Sequence, residues 1–267
     1  MLRRFAWIGS AALILLLALL AYGYREATSD PVVRVAEVEV PDIDAPLRLL
    51  FISDTHVQYP DMPPTRLARI MQRLNGLHPD LVLVGGDYTG DKPLGSKVAA
   101  TEAIAPFRYL HPRLGMAAVL GNHDADDIAE VRGAFQAVGA QLLEDSVLQF
   151  GPVAIGGVWQ RPRRTYRKLV RLNGARILVS HYPDAIENVP PEVDLTLAGH
   201  THCGQILLPL LGPIFTGTKL QDEFICGRTN YKGKRLIVSA GLGTSHLPLR
   251  FGAPPDVWLV ILRPPSA

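Results

Sequence analysis

The chain has 267 residues, 48% of them hydrophobic and 19% charged, which is enough apolar material for one large domain with a full core and argues against disorder. A formal net charge of +2 gives no basis for nucleic-acid binding, which would rest on many Lys and Arg contacts to phosphates. Two cysteines, Cys203 and Cys226, exclude a disulfide-rich scaffold and a four-cysteine zinc site and leave room for one disulfide.

Arg3 and Arg4 precede an uncharged run from Phe5 to about Tyr24, dense in Leu, Ile and Ala. At ~1.5 Å per residue this run reaches ~30 Å, the thickness of a bilayer's hydrocarbon core. Residues 1–24 are therefore expected to form an uncleaved transmembrane anchor. With the arginines held in the cytoplasm, the remainder of the chain lies on the far side of the cell membrane. A cleaved signal peptide ending at the small-x-small site Ala21-Tyr22-Gly23 is the competing reading. Residues 25–45 read as a linker and first strand, because Val32 to Val40 alternates between apolar and polar. Residues 46–267 form the main domain.

That domain opens on Leu47–Ile52, an apolar run of buried-strand type ending in Ser53-Asp54-Thr55-His56. Thr65 is expected to cap a helix to about Leu74, with Leu67, Ile70, Met71 and Leu74 at helical spacing. Leu81–Val84 is the next strand and ends in Gly85-Gly86-Asp87. A helix from about Ser96 to Tyr109, bent at Pro106, leads to the strand Met116–Leu120 and then Gly121-Asn122-His123-Asp124. Asp126 or Asp127 can cap a helix to about Val138. Strands Val153–Val158 and Ile177–Ser180 follow, the second stopping at His181, and Leu195–Ala198 runs into Gly199-His200-Thr201-His202. Leu236–Ser239 and Val257–Leu262 complete the set. Strands and helices alternate early and strands dominate late, which argues for a layered α/β (α+β) domain with buried sheets.

Five of the eight histidines stand at strand ends, together with Asp54, Asp87 and Asn122. All can converge on one edge of a sheet, where open α/β sheets place their ligands. Carboxylate, amide oxygen and imidazole donors suit Mn, Fe or Zn better than Ca. The set is too large for one tetrahedral ion but fits two divalent metal ions bridged by a carboxylate.

Asp54-x-His56, Gly86-Asp87-(x)2-Gly90, Gly121-Asn122-His123-Asp124, the isolated His181 and Gly199-His200-x-His202 together resemble the calcineurin-like metallophosphoesterases, in the same order. The N-terminal apolar segment, Gly204-Gln205 and the late Gly241-Leu242-Gly243-Thr244-Ser245 with Leu247-Pro248-Leu249-Arg250 are similar to the YkuE-like and YaeI-like membrane-associated branch. The resemblance implies a two-sheet β-sandwich flanked by helices, the αββα metallophosphoesterase fold. It implies that Asp54, His56 and His202 hold one ion, that Asn122, His181 and His200 hold the other, and that Asp87 bridges them. It also implies catalysis by His123 as a hydrogen-bond or proton donor, with Asp124 fixing its orientation. The expected reaction is metal-dependent hydrolysis of a phosphodiester or pyrophosphate by activated water.

Cys203, where many relatives carry glycine, can act as a soft ligand or pair with Cys226 if the domain is exported. The basic cluster Arg161–Lys168 is either a site that attracts anions or a solvated helix start. The apolar run Ile206–Phe215, broken by two prolines and a glycine, is a poor helix or central strand. Its side chains are expected to pack on the core, line a pocket or touch the bilayer, and the two readings are plain packing and a wall that brings a lipid-linked phosphate to the metals. The expected partners are thus a phosphate-ester substrate and the membrane. A UDP-2,3-diacylglucosamine pyrophosphatase-like activity and a non-catalytic tethered binding protein are the alternatives. A serine hydrolase is excluded by the lack of a Gly-x-Ser-x-Gly elbow.

Overall fold

Strands that are apolar without interruption need cover on both faces, and two sheets stacked between helices provide it. The computed structural model describes residues 2–93, 95–159, 162–208, 210–214 and 216–265, and the side chains of residues 2–6 and 127 are outside the description. Arg161, Pro209 and Phe215 of the sequence reading therefore lie outside the described residues.

The chain runs α1 (Leu2–Ala27), β1 (Val32–Glu39), β2 (Leu47–Ile52), α2 (Pro64–Asn75), β3 (Leu81–Val84), α3 (Ala100–Ile104), β4 (Gly115–Ala118) and α4 (Ile128–Ala137). It continues with β5 (Gln141–Leu142), β6 (Ser146–Phe150), β7 (Val153–Val158), α5 (Pro162–Leu169), β8 (Ala175–Ser180) and β9 (Leu195–Ala198). It ends with β10 (Leu207–Leu208), β11 (Gly212–Pro213), β12 (Gly227–Tyr231), β13 (Lys234–Val238) and β14 (Asp256–Arg263).

One six-stranded sheet has the order β1-β14-β2-β3-β4-β5 and the other β12-β13-β9-β8-β7-β6. Strands β2 to β5 are mutually parallel, as are β7, β8, β9 and β13. Leu49, Phe51, Leu83 and Val119 from the first sheet's side meet Ile155, Ile177, Val179, Leu197 and Ile237 in the layer between the sheets. Leu50, Ile52, Val82 and Val84 point the other way, into a core with Leu67 and Met71 of α2 and Phe135 of α4. On the second sheet's outer face, Ala154 and Leu178 are covered by Tyr166 and Leu169 of α5. The result is the expected helix–sheet–sheet–helix arrangement.

Several local expectations are corrected. Helix α2 starts at Pro64 with no side-chain cap, so Thr65 lies inside it; proline needs no amide partner in the first turn and presets φ. The 96–109 segment is helical only over Ala100–Ile104 and continues as a 3-10 turn over Ala105–Tyr109, which accommodates Pro106. Residues Asn122–Asp127 form a 3-10 turn, and α4 begins only at Ile128. The strand expected over Val32–Val40 is present as β1, which pairs along its whole length with β14.

Residues Trp7–Ala27 of α1 are long and apolar enough to cross a bilayer. Most of the helix is bare, but its last turns dock on the domain. Ala27 is buried, and Gly23 abuts the Phe251 ring. The Arg250 N–H donates to the Gly23 carbonyl at 3.0 Å.

Candidate metal centre

Parallel strands in register end at one level, so residues following β2, β3, β4, β8 and β9 are delivered to a common rim. The expectation of a single sheet edge is corrected here. Asp54, His56, Asp87, Asn122 and His123 come from the first sheet, and His181, His200 and His202 from the second, so the cluster straddles the end of the sandwich. Asp54, His56, Asp87, His200 and His202 all have positive φ, between 37° and 71°. Residues other than glycine seldom adopt this region, and such strain collects where function requires it.

The geometry brings the polar atoms close. His56 Nε2 and His202 Nε2 are 3.1 Å apart, and His202 Nε2 is 3.6 Å from Asp54 Oδ1. Asp87 Oδ2 lies 3.5 Å from His56 Nε2, 3.2 Å from His181 Nε2 and 3.9 Å from His123 Nε2. His181 Nε2 is 3.1 Å from Asn122 Oδ1 and 3.2 Å from His200 Nδ1. Three groups of donors, Asp54–His56–His202, His56–Asp87–His123 and Asp87–His181–His200, each have ligand atoms within 4.8 Å of one another.

Tautomers favour metal binding. His181 Nδ1 faces the Gly85 carbonyl at 2.9 Å, and His200 Nε2 faces the Gly217 carbonyl at 2.9 Å. A carbonyl only accepts, so each of these nitrogens carries a proton and the opposite ring nitrogen faces Asp87 or its neighbours, where it can bind an ion once it has no proton of its own. The residues therefore fit a pair of divalent ions in donor type, orientation and spacing.

Burial sets the electrostatics. It pushes His56 down to about 3 and His200 down to about 4, and it holds His202 well below its ordinary value, so these three rings stay neutral at neutral pH. Burial raises the Asp54 carboxyl to about 6, with the charge on Asp87 adding to the effect and the His181 charge opposing it. Asp87 moves the other way: burial alone would raise it, but His181, His56 and His123 outweigh burial and hold it well below the usual carboxylate range. The same pairing lifts His181 to about 10 against the effect of its burial.

Asp124 does not orient His123. Its Oδ2 accepts the Asp87 and Gly121 N–H groups at 2.8 Å each, and its Oδ1 accepts the Tyr88 N–H at 2.9 Å. It therefore fixes the backbone beneath Asp87, while Asp91 Oδ2 stands 3.6 Å from His123 Nδ1. His246, near the late glycine-rich loop, also reaches Asp91 at 3.7 Å and lines the cleft.

Asp91, Ser53 and Arg250 were not singled out as site residues from sequence. Ser53 Oγ donates to Asp54 Oδ2 at 2.5 Å. Arg250 is fully buried; Nη2 donates to the carbonyls of Ala240, Gly241 and Gly243, and Nη1 to that of Ala253. The signal for Asp91 was its place four residues after Asp87 in the same loop. The signal for Arg250 was its place in the Leu247-Pro248-Leu249-Arg250 segment that resembles the YkuE-like and YaeI-like branch, which gave it no role.

Cys203 is bonded to Cys226, so it offers no thiolate ligand. The bond fastens the turn after His202 to the loop before β12. The basic cluster forms α5, whose Thr165, Tyr166 and Leu169 are buried, and none of its described residues lines the cleft. The cleft itself holds about 440 Å³ and has a polar floor of His56, Asp87, Asn122 and His200 beneath apolar walls that include Ile206, Ile214 and Leu247.

The profile of the calcineurin-like phosphoesterases matches residues 47–204. The chain is 30% identical over 283 residues to "Transmembrane protein with metallophosphoesterase domain" of Danio rerio, covering 94% of this chain and 62% of that protein, which is therefore substantially longer. It is 27% identical to "Phosphodiesterase YaeI" of Escherichia coli (strain K12), covering 83% of this chain and 84% of that one. It is 29% identical to "Uncharacterized metallophosphoesterase YkuE" of Bacillus subtilis (strain 168), covering 74% and 72% respectively. The profile match spans more than half of the chain, including every strand end that carries the cluster, and the chain belongs to the calcineurin-like phosphoesterase family.

Proposed function

We propose that the protein is a membrane-anchored phosphoesterase that uses two divalent ions to hydrolyse a phosphodiester or pyrophosphate bond of a lipid or envelope substrate. The observation that carries this reading is the chain of donor clusters in which His56–Asp87–His123 joins Asp54–His56–His202 to Asp87–His181–His200. Asp54, His56 and His202 would hold one ion and Asn122, His181 and His200 the other, with Asp87 shared. When bound, such ions supply Lewis acidity toward phosphoryl oxygens and activate water.

The chain's own residues do the rest. His123 is 24% exposed at the cleft and points Nε2 toward Asp87, while its backbone N–H donates to Asp87 Oδ1 at 2.9 Å. From there the ring donates a proton or hydrogen bond to the leaving oxygen, and Asp91 at Nδ1 orients it. The apolar walls exclude water from the remainder of the substrate. Two features support an extracytoplasmic catalytic domain: Arg3 and Arg4 ahead of the apolar helix, and a disulfide, which persists in oxidising compartments. That side weighs against a pyrophosphate intermediate of lipid A synthesis, which faces the cytoplasm.

Bis-p-nitrophenyl phosphate should be hydrolysed on addition of Mn and not in the presence of chelator. Equal rates with and without chelator would sink the metal-dependent reading. A second expectation concerns Gly199, where a Cβ would overlap Ser53 Oγ and Asp54 Oδ2. Gly199→Ala should weaken Mn binding by about 10-fold or more in calorimetric titration, the usual size of effects on residues that position ligands. Unchanged affinity would show that Asp54 is not a ligand.

A further inference from the structure

Strands β10 and β11 form a hairpin that leaves the domain just beyond the cleft, with Leu207 opposite Pro213 and Leu208 opposite Gly212. Leu208, Leu210, Leu211 and Ile214 are all exposed, Leu211 at 79%. A surface meant only for water seldom gathers so many large apolar side chains in one short loop.

The hairpin stands beside the end of α1. Ile206 bridges to Phe251, the Leu207 N–H donates to the Phe251 carbonyl at 2.9 Å, and the Phe251 N–H donates to the Gln205 carbonyl at 3.0 Å. The Phe251 ring in turn lies 5.8 Å from that of Tyr22. Three segments thus run side by side: the last turns of α1, then Arg250–Phe251, then Gln205–Leu208. Tyr22 and Tyr24 close the apolar run of α1, and tyrosines settle where hydrocarbon gives way to headgroups. The hairpin therefore leaves the domain at the depth where the anchor leaves the bilayer.

The cleft wall is continuous with this hairpin. Ile206 precedes it, Ile214 follows it, and both line the cleft opposite Leu247. Gln205 ties the two walls together: its Nε2 donates to the carbonyls of Ser245, Leu247 and Leu249, and its Oε1 accepts the Ser245 N–H at 2.8 Å.

We propose that the β10–β11 hairpin is a second membrane contact that dips Leu208, Leu210 and Leu211 into the leaflet beside α1, so that the cleft opens onto the bilayer and receives a lipid phosphodiester directly from it. The membrane contact stands on the exposed leucines and on their continuity with the anchor. The lipid substrate rests in addition on the phosphoesterase reading. A headgroup phosphate reaches the histidine cluster while the acyl chains stay along Ile206, Ile214 and Leu247.

The test uses the full chain in phosphatidylcholine–phosphatidylglycerol vesicles. A nitroxide placed by Leu211→Cys should be shielded from an aqueous nickel chelate at least five-fold relative to one placed by Gln136→Cys on the exposed face of α4. Equal accessibility at the two positions overturns the membrane contact. In the second arm, Leu208→Ser, Leu210→Ser and Leu211→Ser are combined; these side chains are exposed, so the fold tolerates the change. Turnover of a hexadecyl p-nitrophenyl phosphodiester held in the vesicles should then fall at least ten-fold in kcat/KM, while that of soluble bis-p-nitrophenyl phosphate stays within two-fold. Equal losses on both substrates overturn the lipid route. A shielded nitroxide on a chain that hydrolyses neither substrate supports the membrane contact and counts against the phosphoesterase reading alone.

Discussion

Replacing Asp87 with Asn should lower kcat/KM for bis-p-nitrophenyl phosphate by about 1,000-fold, equivalent to ~4 kcal/mol of transition-state stabilisation, and should reduce bound Mn from two ions per chain to one or fewer. Asn keeps the shape and the Oδ1 that accepts the His123 N–H, but it removes the charge facing His56 and His181. Asp87 Oδ2 lies within 4 Å of His56 and His123 from the first sheet and of His181 from the second, so its loss weakens the link between them. Steady-state kinetics and metal analysis check the two halves separately. Wild-type turnover with two ions retained would remove Asp87 from the mechanism.

The second large effect is on stability. Arg250→Met should destabilise the metal-free protein by about 3–5 kcal/mol, because the carbonyls of Ala240, Gly241, Gly243 and Ala253 lose a charged donor in a buried setting. For a domain of this size that corresponds to a fall of about 10 °C in Tm by calorimetry. Burial lowers the guanidinium to about 10, with Asp256 and Asp54 countering, so it stays charged at neutral pH. Arg250→Lys should recover less than half of the loss, since an ammonium cannot span four carbonyls held on both sides of a planar fork. A shift below about 2 °C would mean that water satisfies those carbonyls instead. The loop involved matters for the site: a Cβ on Gly241 would press on Asp54 and one on Gly243 on His56, so Arg250 holds the backbone that supports two candidate ligands.

The strands that deliver the candidate ligands were legible because a strand buried on both faces is apolar throughout, and the first polar residue marks where it leaves the core. The edge strands Ser146–Phe150 and Gly227–Tyr231 were missed for the converse reason. Their residues are half-buried or exposed, and segments such as Gly227-Arg228-Thr229-Asn230-Tyr231 carry no hydrophobic pattern. That the donors come from two sheets depends on long-range strand pairing, which no local pattern encodes. The resemblance implied that Asp124 orients His123, but in a 3-10 turn consecutive side chains diverge, and Asp124 turns inward to backbone amides. The hairpin was read correctly as neither helix nor central strand; its exposure follows from a tight turn that carries Leu210 at a φ of 68°.

The docking of α1 bears on how a water-soluble form of this protein should be cut. Gly23 supplies a backbone acceptor to Arg250 and a flat seat for Phe251, Ala27 is fully covered, and the Ser29 carbonyl accepts Arg66 Nη2 at 2.7 Å. A truncation after residue 27 or 30 would remove pieces of the domain's own packing along with the apolar helix, next to the loop that supports Asp54 and His56. Inactivity of such a form would report damage to the fold, with no bearing on any need for a bilayer. A boundary just ahead of Tyr22 keeps the last helical turn as a plug and separates the two causes.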